Sequence, residues 1–212
     1  WGTVIPHLDL FERRFGRQSR EVVADAGYGN EENYEYMDGN DIEGYVKYPM
    51  FHTELKRGYA GDPFVPEHLH YNEEGDYFVC PMGQHMECVG ETHRTSELGY
   101  ISTAKKYQAQ NCGRCPLRGM CFKGKGNRTI EVNVKSRLYR NQARERLTSE
   151  RGLYHRSMRP IEPEAVFGQI KYDCGFKRFR YRGKRLVEAE FATLAIAHNI
   201  RKMISMRDAS SR

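Results

Sequence analysis

The chain has 212 residues, enough for one large domain or one and a half ordinary ones, and its 39% hydrophobic content allows a core but not a rich one. Its net charge of +6 favours an anionic partner, with nucleic acid as the default. No apolar run approaches the roughly 20 residues that cross a bilayer, and six cysteines are too sparse for a secreted disulfide scaffold. These exclude a membrane partner and point to a cytoplasmic protein. The opening Trp1-Gly2-Thr3, without an initiator Met, reads as the start of a fragment.

In chain order, Leu8, Phe11 and Phe15 fall at helical spacing and Gly16 stops the run. Arg20 to Asp25 reads as a short Val-rich strand, and Asn30 to Asp38 as a helix capped by Asn30 with acids in its first turn. Ile42 to Tyr48 alternates around β-favouring residues and reads as a second strand. Helix–strand–helix–strand predicts α/β architecture with parallel pairing. From Pro49 to about Arg128 helical periodicity disappears and Gly, Pro, His and Cys rise. Tyr77 to Gly83 reads as a strand entering a knuckle, Asn111 to Cys121 as a second knuckle, and Arg128 to Val134 as a returning strand. Ser136 to Arg159 reads as helical and very basic, and Val187 to Met206 as a last helix whose apolar stripe should be core.

Two acidic motifs carry chemistry. Asp25 sits where a strand runs into the Gly-rich turn Gly27-Tyr28-Gly29, the position at which α/β folds place ligands. The ordinary alternative is an Asp capping that turn. Glu164 follows Pro163, which suits a first helical turn, and lies two turns before Lys171; Glu162 competes with it. Two carboxylates beside a basic surface can hold Mg²⁺ against phosphodiesters. Cys112-x-x-Cys115 with Cys121 and Cys80 fits a Cys₄ zinc site, with Cys88 or His85 as replacement ligands, while Cys174 lies apart. From Lys171 to Arg185, seven Lys or Arg oppose the single acid Asp173, with aromatics interleaved. Lys177, Arg178, Arg180, Arg182, Lys184 and Arg185 are the candidate DNA contacts.

The ordered series resembles the DDE transposases of bacterial insertion sequences, in the group with a cysteine-rich insert between the second Asp and the Glu. It comprises Val23-Ala24-Asp25-Ala26-Gly27-Tyr28-Gly29-Asn30-Glu31-Glu32-Asn33-Tyr34, Tyr45-Val46-Lys47-Tyr48-Pro49, Cys80-Pro81-Met82-Gly83 and Cys112-x-x-Cys115-Pro116-Leu117-Arg118-x-x-Cys121. It continues with Arg159-x-x-x-x-Glu164-x-x-Phe167-Gly168-x-x-Lys171, Phe176-x-x-Phe179, Arg182-Gly183 and Ala197-His198-Asn199. The resemblance implies an α/β, partial RNase H-like core interrupted by a small Cys-rich, zinc-binding insertion domain. It implies two Mg²⁺ ions on three carboxylates, of which Asp25 matches the second Asp and Glu164 the Glu. Arg159 and Lys171 match basic residues that orient DNA phosphates. Implied partners are DNA, as transposon ends and target, and a second copy of the complete protein. The implied location is cytoplasmic and nucleoid-associated.

The division expected on this basis is a core segment at 1–49, the Cys-rich insert at 50–134, a helical return carrying the Glu at 135–206, and a tail at 207–212. The family's first Asp has no match: Asp9, the only Asp before Asp25, lies on an amphipathic helix. The expectation is therefore the C-terminal portion of an enzyme that cleaves and joins DNA, inert alone. The alternative is a non-catalytic, zinc-stabilised DNA-binding or interaction module derived from a transposase.

Overall fold

The computed structural model describes residues 3–161 and 165–210, and divides the chain into two compact units, Trp1–Leu153 and Tyr154–Arg212. Glu162 and Glu164, the two competing carboxylates, lie outside the described residues.

The first unit begins with helix α1 (Val4–Phe15), which ends at Gly16 in the left-handed conformation (φ 65°) that a side chain would resist. Strand β1 (Glu21–Ala24) leads through the 3₁₀ turn Ala26–Tyr28 into α2 (Glu31–Gly39), and β2 (Glu43–Val46) returns parallel to β1. Asn30 caps α2 as its residue type predicts, accepting from the Asn33 amide at 2.8 Å. Both parallel strands and both helices fall where apolar spacing placed them.

Two short helices, α3 (Phe51–Glu54) and α4 (Arg57–Ala60), and a 3₁₀ turn at Pro66–His68 then lead to an antiparallel meander. Its five strands are β3 (His70–Asn72), β4 (Tyr77–Val79), β5 (His85–Thr95), β6 (Ile101–Ala109) and β7 (Thr129–Val132), paired in chain order. Helix α5 (Arg118–Cys121) lies between β6 and β7. The β5–β6 hairpin has no counterpart among the predicted elements. Most of β5 is exposed, and its pairing shifts between Cys88 and Gly90 (φ 146°), so no apolar alternation marks it.

Helix α6 (Val134–Thr148) brings the chain back to the first strands. Its Ala143 and Leu147 share a core with Leu8, Tyr34, Met37, Ile42, Tyr45 and Phe51. A second core, built on Phe78, Met86, Tyr107 and Ile130, lies on the meander. The chain is thus a mixed α/β protein.

The basic helical stretch expected over 136–159 is helical and holds two helices, α6 and α7 (Glu150–Met158). Ser149 is extended (ψ 163°) and its Oγ accepts from the Gly152 amide at 3.1 Å, which caps the second helix. Any side chain at Gly152 would collide with the Arg146 carbonyl.

In the second unit, α8 (Ala165–Gly168) runs into a π-helical turn at Gln169–Asp173, and α9 spans Lys184–Ser210. Its stripe is not core as expected: Phe191, Ile200, Met203 and Ile204 are exposed, and His198 is buried.

Candidate functional site

Asp25 is exposed at the end of β1, and its backbone carbonyl accepts from the Tyr28 amide at 2.9 Å. Its side chain makes no capping bond to the 3₁₀ turn, so the ordinary role of a turn-capping Asp is not the one it fills. Gly29 lets the turn pass against the end of β2, because a Cβ there would collide with the Lys47 carbonyl. The Gly-rich turn is therefore a close-approach device that fixes where the Asp25 backbone lies.

A buried carboxylate of the same motif, to which the sequence assigns no role, sits six residues further on. Glu31, in the first turn of α2, accepts from the Tyr100 hydroxyl at 2.8 Å, from Ser102 Oγ at 3.0 Å and from the Asn133 amide nitrogen. Asn133 also caps α6, accepting from the Ser136 amide at 2.8 Å. Burial, then the neighbouring Glu35 and Glu31, push the Tyr100 hydroxyl pKa up, so it stays a proton donor. This network ties α2, β6 and α6 together. Its sequence signal is its place in the Asp25 motif, where an acid in a first helical turn is ordinarily solvated.

The four predicted thiols, Cys80, Cys112, Cys115 and Cys121, are all reduced and line one cavity of about 20 Å³, room for a single water-sized species. Cys80 and Cys112 each open a tight turn, and Cys121 ends α5. Gly83 (φ 78°) donates its amide to the Cys80 carbonyl at 2.8 Å, and the Cys115 amide lies 3.5 Å from the Cys112 carbonyl. The buried Arg128 donates its amide to Cys112 Sγ at 3.4 Å and its guanidinium to Cys121 Sγ at 2.9 Å. Yet among the described residues no group of three His, Cys, Asp or Glu is placed to hold a metal ion. The expected Cys₄ site is therefore present as a cavity lining and not as a ligand set, with the Arg128 guanidinium satisfying a sulfur that zinc would take. The replacement ligands do not join it: Cys88 is exposed on β5, and the His85 ring stacks on Tyr77.

In the second unit, Lys171 is exposed in the π-helical turn and Arg159 precedes the undescribed residues. Lys177, Arg178, Arg180 and Arg182 form an exposed irregular segment, not a strand, and Lys184 and Arg185 open α9. Glu190 of α9 holds that segment by accepting from the Arg180 amide at 3.0 Å, and Phe176 and Phe179 pack edge to face. The backbone is thereby anchored while the guanidiniums face solvent.

The sequence model of the transposase DDE domain family matches residues 79–204, more than half of the chain, and the chain belongs to that family. No curated protein and no solved structure matches it. The matched span contains the four clustered cysteines, Arg159, Glu164, Lys171 and the basic segment, while Asp25 lies upstream of it. Membership carries a transposition-related function, a DNA partner, and the divalent metal on which such domains act. No helix among the described residues is long and apolar enough to cross a membrane.

Proposed function

We propose that this chain supplies part of the metal-dependent site with which a transposase cuts and joins DNA strands at insertion-sequence ends. The observation carrying this reading is Asp25, exposed at the end of a parallel strand, in a chain of the DDE family. A carboxylate there suits a hard divalent cation, which prefers oxygen ligands. Bound Mg²⁺ would activate the attacking water or 3′-hydroxyl and stabilise the leaving oxygen. Asp25 and Glu164 would hold it, and Arg159 and Lys171 would orient the neighbouring phosphates. The exposed row from Lys177 to Arg185 would carry the flanking DNA by backbone contacts. Two carboxylates fall short of the family's three, so the chain alone binds DNA and leaves it uncut.

Calorimetry with Mn²⁺ should detect weak binding that Asp25→Asn and Glu164→Gln each abolish. DNA affinity should fall steeply with salt, as phosphate contacts require. Metal-dependent nicking by the isolated chain, lost in Asp25→Ala, would overturn the claim that it is incomplete. If the two carboxylate variants bind metal as the parent does, the pairing of Asp25 with Glu164 is wrong.

We read the cysteine cavity as a zinc site that braces the meander, with the four sulfurs drawn onto the ion and Arg128 moved to an outer hydrogen-bonding position. The shared cavity and the N–H···S bond from Arg128 support it.

A further inference from the structure

A cleft of about 340 Å³ lies beside α6, and Arg137, Arg140 and Arg144 all face it. Spacings of three and four put them on one side of the helix. Glu54 and Glu67 share the cleft, but neither closes on a guanidinium. Arg144 stands 3.7 Å from Glu54 and Arg140 4.0 Å from Glu67, beyond hydrogen-bond length. The Tyr48 hydroxyl donates to Glu54, and that of Tyr59 lies 3.4 Å from Glu67. Each guanidinium carries five N–H donors, and the acceptors they meet among the described residues are few. Arg137 reaches the Pro66 carbonyl at 3.5 Å, Arg140 the Ser136 carbonyl at 3.4 Å, and Arg144 the Asn141 side chain at 3.0 Å. Arg137 is partly buried, and desolvation lowers its pKa. Its charge is partly withdrawn from water, offset by the Pro66 carbonyl, the Phe78 ring 5.8 Å away and the nearby Glu67, and an anion in the cleft would add to that compensation.

We propose that this cleft binds a phosphate of a DNA strand through Arg137, Arg140 and Arg144. Planar guanidinium forks match phosphate oxygens two at a time. The volume is that of a small-ligand pocket, so a phosphate enters with part of its sugar. Glu54 and Glu67 limit the positive excess, which restricts the cleft to one phosphate. The proposal rests on the DNA reading above and adds a contact point far in sequence from the Lys171–Arg185 run.

The test is fluorescence anisotropy of the full chain with a short duplex over a salt series. Arg140→Gln/Arg144→Gln should weaken binding about tenfold at low salt and lower the salt slope by about one for the lost phosphate contact. Glu67→Gln should strengthen binding several-fold, a gain that misfolding cannot imitate. If the parent binds DNA and both variants match it, the cleft proposal fails while the DNA reading stands. If the folded parent binds no DNA, both fail. If inorganic phosphate raises the parent's Tm but not that of Arg140→Gln/Arg144→Gln, while DNA affinity is equal, the cleft holds a free anion and the DNA assignment is overturned.

Discussion

Asp76 shows how one side chain holds strands that are not neighbours. It turns the chain between β3 and β4 at a positive φ of 47°, which Asp tolerates better than most residues. Its carboxylate accepts from Lys105 at 2.8 Å and from the Tyr107 hydroxyl at 2.6 Å, both on β6, and from Tyr71 at 2.7 Å. The Lys105 bond first, then the two tyrosines, lower its pKa from 3.8 to about 2. A depressed folded-state pKa means that the unfolded chain takes up the proton first as pH falls. The contribution is therefore present above about pH 4 and is lost as pH falls toward 2. Urea unfolding should show Asp76→Asn about 1 kcal/mol less stable at pH 7, a modest figure because the site is solvent-screened. The deficit should shrink at pH 3; a deficit of equal size at both pH values would mean that the charge does not contribute. None of this is legible in Glu73-Glu74-Gly75-Asp76, which reads as an ordinary polar turn.

At the scale of elements, α6 joins two cores, and Asn133 is the point where the junction is made. Its side chain caps α6 and also donates to the buried Glu31 of α2. Asn133→Ala should cost about 2–4 kcal/mol, combining a lost cap with a carboxylate left short of a donor. Asn133→Asp keeps the capping oxygen but sets a second carboxylate beside Glu31. Chemical denaturation should find it as unstable as the alanine variant at pH 7; parent-like stability would show that the Glu31 contact contributes nothing. The element pattern itself was partly readable. Leu8, Val22, Tyr34 and Val46 sit at spacings that assign their elements, because each presents one face to one core. The β5–β6 hairpin was not readable, because its strands are largely exposed and Gly90 shifts their register. The break at Ser149 had a local signal, a capping residue followed by Glu150 and Gly152, concealed within a continuous basic run.

For the whole molecule, the cysteine cavity decides whether the meander is braced by metal or by packing alone. Metal analysis of protein purified without chelator should find about one zinc per chain, as a single tetrahedral site requires. EDTA should lower the Tm, and Cys112→Ser should lose both the zinc and the EDTA effect. Zinc-free protein whose melting is indifferent to EDTA would assign these thiols to packing against the second core, which Cys80 and Cys112 already touch.

The sequence by itself determined the candidate residues and their order along the chain: Asp25 after a Val-rich strand, cysteines at knuckle spacing, Arg159, Glu164 and Lys171 near the end. Such motifs are local, since turn geometry, helical spacing and side-chain chemistry act over a few residues. Tertiary structure alone decided that four cysteines face one cavity, that Glu31 is buried against Tyr100 and Asn133, and that three arginines of α6 share a cleft with Glu54 and Glu67. It also decided that the α9 stripe is exposed. Burial and donor–acceptor matching depend on which distant segments meet, and periodicity within one element carries no information about its partner.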